Sequence, residues 1–119
     1  TRDMSAFLTI PIAINFLKKY NWPERSKSCK EKTIKLREEF IKLLSFIPPC
    51  PNNWLGQMAS IPLPIKEPEN FRNKLFSNYK IQIPVFRWEN KIFLRYSIQT
   101  YNSDQELEKL FYAVKKLLN

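Results

Sequence analysis

From Ile92 to Ile98 apolar and polar residues alternate without a break. Ile92, Leu94, Tyr96 and Ile98 fall on one side of an extended chain, while Phe93, Arg95, Ser97 and Gln99 fall on the other. A second run rich in β-branched and aromatic residues, Ile83 to Trp88, precedes it. Glu89-Asn90 lies between them as a two-residue loop in which the asparagine suits a positive φ. The pattern predicts an antiparallel hairpin with Arg95 facing away from the most apolar side. After it, Ser103-Asp-Gln-Glu106 has the form of a capping box, followed at helical spacing by Leu107, Leu110, Phe111, Val114, Leu117 and Leu118.

Upstream the period is helical. Phe7, Ile10, Ile14 and Leu17 predict a first helix, with two ways to accommodate Pro11. Either Asp3 caps the helix and Pro11 kinks it, or the helix proper begins near Thr9 with Pro11 in its first turn, where no amide donor is missed; the second is preferred. Asn21-Trp22-Pro23 breaks the pattern, and Ser28-Cys-Lys-Glu31 offers another capping box. The helix it opens would bury Thr33, Leu36, Phe40, Leu43, Leu44 and Ile47, opposite a mixed-charge face. The proline-rich stretch 48–53 is a connector into a short strand, Met58 to Pro64, whose prolines suit a sheet edge. Glu69 to Tyr79 predicts a helix with Phe71, Leu75 and Phe76 inward. The order α-α-β-α-β-β-α implies an α+β two-layer domain, a short antiparallel or mixed sheet covered by helices, spanning residues 1–119 as one unit.

Composition narrows the chemistry. With 119 residues and 44% hydrophobic content, the chain can build a modest core. The formal charge of +9 is spread over both halves, as expected of solvated helix faces more than of a nucleic-acid surface. The chain has no histidine and one glycine, so it lacks a Ser/His/Asp set, a glycine-rich phosphate loop and a zinc-ligand set; no catalytic or metal-binding residue is assigned. Cys29 and Cys50 are expected as thiols, although spacing alone leaves a disulfide open. The apolar run Ala6 to Leu17 is too short for a membrane span, which suggests a cytoplasmic protein. Arg95 stands out as a guanidinium that could grip a carboxylate with paired bonds; the plainer alternative is a surface arginine.

Several segments carry a resemblance, in order, along nearly the whole chain. Thr1-Arg-Asp with Ala6-Phe-Leu-Thr-Ile-Pro-Ile-Ala, Met58-Ala-Ser-Ile-Pro-Leu-Pro, Ile83-Pro-Val-Phe-Arg-Trp and Leu94-Arg-Tyr-Ser-Ile-Gln-Thr-Tyr-Asn102 resemble the carboxy-terminal part of class V aminotransferase-type enzymes. These are pyridoxal-phosphate enzymes of fold type I, and the isopenicillin N epimerase-like branch is the most similar. The resemblance implies a small domain that closes over an amino-acid substrate, with its first residues crossing from a large cofactor domain, in a homodimer. By resemblance Arg95 matches the arginine that holds the substrate α-carboxylate, and Thr1 a threonine that reaches the cofactor phosphate in the neighbouring subunit. The large domain, with its Schiff-base lysine, has no counterpart in these 119 residues, so the chain is not expected to hold pyridoxal phosphate or turn over substrate alone. The competing expectation is a basic binding module for nucleic acid or a protein partner, stacking bases on Trp54 or Trp88. Those tryptophans are more readily expected in a core or an interface.

Overall fold

The structure, a computed structural model, describes residues 3–118. Helices α1 (Ser5–Leu8), α2 (Ile10–Lys19) and α3 (Trp22–Leu44) lead through a 3₁₀ turn at Asn52–Trp54 to strand β1 (Met58–Leu63). Helix α4 (Pro68–Tyr79), strands β2 (Val85–Trp88) and β3 (Lys91–Ser97) and helix α5 (Asp104–Leu118) complete the chain. The α+β class and the order of the strands and later helices follow the hydrophobic pattern, with the expected first helix divided into α1 and α2. The sheet is antiparallel throughout, in the order β1-β3-β2, so the most strictly alternating segment is its centre. The proline-bearing β1 lies at one edge, with Pro62 opposite Phe93.

Helices α3, α4 and α5 pack together, α3 on β1 and α4 on β2. They cover the face formed by Ile61, Val85, Ile92, Leu94 and Tyr96, all buried in one apolar cluster with Phe40, Leu75, Leu110 and Val114. Burying a side chain of this size contributes about 1.5–3 kcal/mol. Tyr96 ties the two layers together, its hydroxyl donating to the Thr33 carbonyl at 2.8 Å; burial pushes its phenol well above the ordinary tyrosine range. The capping box at Ser103 forms in both directions: Glu106 N–H donates to Ser103 Oγ at 3.2 Å, and Ser103 N–H donates to Glu106 Oε2 at 2.9 Å.

Four local expectations are corrected. Ser28 is no cap: α3 begins at Trp22, six residues earlier, because Pro23 in the first turn needs no N–H acceptor. The positive φ of the hairpin falls on Glu89 (50°) and not on Asn90. Ile47 is exposed, since α3 ends at Ser45 in a left-handed conformation and turns Phe46 toward the core in its place. Phe76 is exposed, one position past the stripe formed by Phe71 and Leu75. The first helix forms as two, α1 and α2, and Phe7, Ile10, Ile14 and Leu17 are all exposed on them. Both alternatives there are partly realised: Asp3 Oδ1 accepts the Ser5 N–H at 2.9 Å, and a second helix starts at Ile10 with Pro11 in its first turn.

Arg37 is a buried charge in the α3 stripe, where the sequence reading placed only apolar residues and Thr33. Its guanidinium donates to the Cys50 carbonyl at 2.9 Å and to Asn52 Oδ1, pinning the proline-rich connector to α3. Cys29 and Cys50 are free thiols, the first buried and the second half-buried.

Candidate functional site

Arg95 sits on the uncovered face of the sheet, in the central strand. Its neighbours across the sheet are Ser60 on β1 and Pro84, whose carbonyl accepts the Arg95 N–H at 3.0 Å just before β2 begins. Period-two geometry brings Phe86, Trp88, Phe93 and Ser97 to the same face. Phe86 and Phe93 stack at 6.2 Å between centroids, Trp88 lies 6.1 Å from Phe93, and the Arg95 guanidinium carbon stands 5.9 Å from the centre of the Phe86 ring. A guanidinium over an aromatic face is attracted by the ring quadrupole and loses part of its rotational freedom before any ligand arrives. Among the described residues the ion pair is Lys32 with Asp104, at 2.8 Å, far from this face in the fold's helical layer. Arg95 thus keeps its in-plane donors free of any carboxylate among those residues.

Beside it runs an open groove of about 430 Å³, within the range of small-molecule sites. Its walls are Arg95 and Ser97 of β3, the extended segment Lys80–Pro84, and the first turns of α5. Lys80 ends α4 at φ 57°, with its N–H on Phe76 O and the next N–H on Leu75 O; this reversal sends the segment along the groove. Ile83, Leu107 and Leu110 supply apolar surface, and Gln82, Asn102 and Lys109 supply polar groups.

The hairpin therefore places Arg95 as the alternation predicts, exposed and at the mouth of a groove. Thr1, the other residue carried over by resemblance, lies outside the described residues. No group of three or more potential metal ligands occurs among the described residues, and no helix among them is long and apolar enough to cross a membrane. Trp54 and Trp88, expected in a core or an interface, are exposed at 77% and 61%. The sequence reading missed the groove itself, because its walls come from three segments whose juxtaposition depends on the reversal at Lys80.

Pyridoxal phosphate does not fit the described residues as a resident group. The buried polar and charged side chains among them are Thr33 and Arg37, and the second is already committed to Cys50 and Asn52. No buried lysine is available in that set to carry the cofactor.

No family model matches the chain, and no curated protein sequence matches it. Among solved structures, the fold is similar to that of 8-amino-7-oxononanoate synthase from Francisella tularensis, with a TM-score of 0.61 at 20% sequence identity. The likeness covers 78% of this chain and 27% of the synthase chain, so the protein spans about a quarter of the length of the enzyme it matches. At that identity the likeness is one of fold.

Proposed function

We propose that this chain is the small, substrate-closing domain of a pyridoxal-phosphate enzyme of fold type I, similar to class V aminotransferase-type and isopenicillin N epimerase-like proteins, in which Arg95 holds the α-carboxylate of an amino-acid substrate. The observation that carries the reading is the state of Arg95: exposed on a bare sheet face, oriented over Phe86 and without a carboxylate partner among the described residues. A planar guanidinium in that state is suited to paired, charge-assisted bonds with a carboxylate. The fold likeness supports it coarsely, since the synthase is itself a fold-type I pyridoxal-phosphate enzyme and this chain corresponds to a minor part of it. The uncovered apolar side chains of α1 and α2 are consistent with a surface that a larger domain encloses.

In this reading the cofactor, which supplies carbanion stabilisation when bound, is held by residues of a large domain, and the present chain contributes orientation of the substrate. Cofactor binding by Thr1 and assembly into a homodimer belong to the same proposal. The test is to supply the isolated chain with pyridoxal phosphate and a panel of amino acids, then repeat the assay after co-expression with a cofactor-bearing domain. Saturable turnover is expected only in the second case. Turnover by the isolated chain would overturn the division of labour.

A further inference from the structure

The Arg95 side chain leans over Phe86 and so meets a row of rings on the uncovered face of the sheet. Its guanidinium carbon is 5.9 Å from the Phe86 centroid, Phe86 stacks on Phe93 at 6.2 Å, and Trp88 continues the row 6.1 Å from Phe93. Strand register fixes this order, with Phe86 opposite Phe93 and Trp88 opposite Lys91. On the other side of β3, Ser60 lies opposite Arg95 and Pro62 opposite Phe93, so the rings are flanked by small or apolar groups. Trp88 is 61% exposed, and an uncovered aromatic row of this kind marks a contact surface.

No strand of the sheet contains an acidic residue. The cations that alternation brings to this face are Arg95 in the middle of β3 and Lys91 at its hairpin end, four residues and about 14 Å of strand apart. Arg87 takes the opposite side and spends a donor on the Lys66 carbonyl at 2.7 Å. A nucleic-acid strand needs cations along its whole backbone, and two do not supply them. A ligand with one carboxylate and a large apolar group matches the face: the acid meets the in-plane donors of a guanidinium already stacked on Phe86, and the apolar part covers Phe93 and Trp88. Phe93, two residues from Arg95 and about 7 Å along the same strand, is within reach of an aromatic amino-acid side chain.

We infer that the amino-acid substrate carries a large apolar side chain, best an aromatic one, which lies over Phe93 and Trp88 while Arg95 holds its α-carboxylate. The inference rests on the carboxylate role of Arg95 argued above and adds the side-chain subsite beside it.

Acetate, 3-phenylpropionate and 3-phenylpropanol carry the acid alone, both groups and the ring alone, and serve as probes in a side-chain NMR titration of the chain. 3-Phenylpropionate is expected to bind about tenfold more tightly than either of the others. Phe93→Thr, which keeps a strand-favouring residue, should remove the advantage over acetate and leave acetate binding unchanged. Trp88→Ala, at an exposed position, should remove part of it. Trp54→Ala deletes an exposed ring outside the sheet and should leave the advantage intact. Arg95→Ala should weaken both acids and spare the alcohol. Equal affinities for the two acids, with Arg95 still required, would overturn the side-chain subsite and spare the Arg95 assignment. An advantage that survives both Phe93→Thr and Trp88→Ala, or that Trp54→Ala abolishes as fully, would overturn the role of this face. Insensitivity of both acids to Arg95→Ala, or no binding of either acid, would overturn the Arg95 assignment itself.

Discussion

Helices α2 and α5 are both amphipathic and have opposite fates. In α5, Leu110, Ala113 and Val114 are buried against the sheet and its neighbouring helices. In α2 no residue is buried, and Ile10, Ile12, Ile14, Phe16 and Leu17 are all exposed. The difference is visible in the envelope: the radius of gyration is 17.2 Å, against about 13.5 Å for a compact chain of this length. Helical spacing of apolar residues states that a face is to be covered and says nothing about which chain segment covers it. For α5 the cover is the core it shares with α3, α4 and the sheet; for the α1–α2 arm it is not supplied by the described residues, although Ile10, Ile12, Ile14, Phe16 and Leu17 form one broad apolar face of α2 opposite Asn15, Lys18 and Lys19.

The sharpest way to break this comparison is to delete apolar volume on each side of it. Leu94→Ala, at a fully buried position in the central strand, should cost about 2–5 kcal/mol. Ile12→Ser, 70% exposed in the arm, should change stability by no more than about 0.5 kcal/mol. Urea midpoints of the two variants measure both. A comparable loss for Ile12→Ser would mean that the arm folds into the body.

Tyr96→Phe removes the one side-chain bond that joins the central strand to α3 without altering packing volume, and should cost about 1 kcal/mol in the same assay. Its pH dependence has a definite sign. The phenol is raised in the folded state, chiefly by burial. Its contribution is therefore complete below the ordinary tyrosine value of about 10 and is lost as pH rises above it. Alkaline destabilisation should be smaller in the phenylalanine variant. An unchanged alkaline limb would place the phenol in water.

The two Ser-x-x-Glu boxes form a finer pair. Ser103→Ala breaks a reciprocal cap and should cost about 1 kcal/mol, whereas Ser28→Ala, inside α3, should be near neutral. Equal effects would restore Ser28 as a cap. The smallest expected effect is at Asp104, whose carboxylate is held below its ordinary value by the Lys32 hydrogen bond and charge. A depressed acid contributes stability above its unfolded value of about 3.9, lost as pH falls below that. Lys32→Gln should flatten this part of the acid limb slightly, as suits an exposed pair.

These pairs also show what was legible in the sequence. The alternation of Ile92 to Ile98 specified a strand, its two faces and the exposure of Arg95, because a one-residue slip would bury the guanidinium and expose Leu94. The box at Ser103 was readable because a hydrophobic run starts directly after it. The identical spacing at Ser28 misled because the same residues are tolerated within a helix already started at Trp22. Arg37 was hidden by its charge, although it shares the stripe of Thr33 and Phe40; its partners, Cys50 and Asn52, lie beyond the helix. The groove required knowing that three separate segments meet, which no local period encodes.

The central claim is that Arg95 serves a ligand carboxylate and not the fold or the cofactor. Under the proposed function, its most direct measurement is amino-acid affinity and cofactor occupancy after the chain is assembled with a cofactor-bearing domain, for the native sequence and Arg95→Ala. Losing a hydrogen bond to a charged group costs about 1.5–3 kcal/mol, so affinity should fall about tenfold to a hundredfold, with cofactor occupancy unchanged and Arg95→Lys recovering part of the loss. Unchanged amino-acid affinity in Arg95→Ala would contradict the claim and return Arg95 to an ordinary surface arginine.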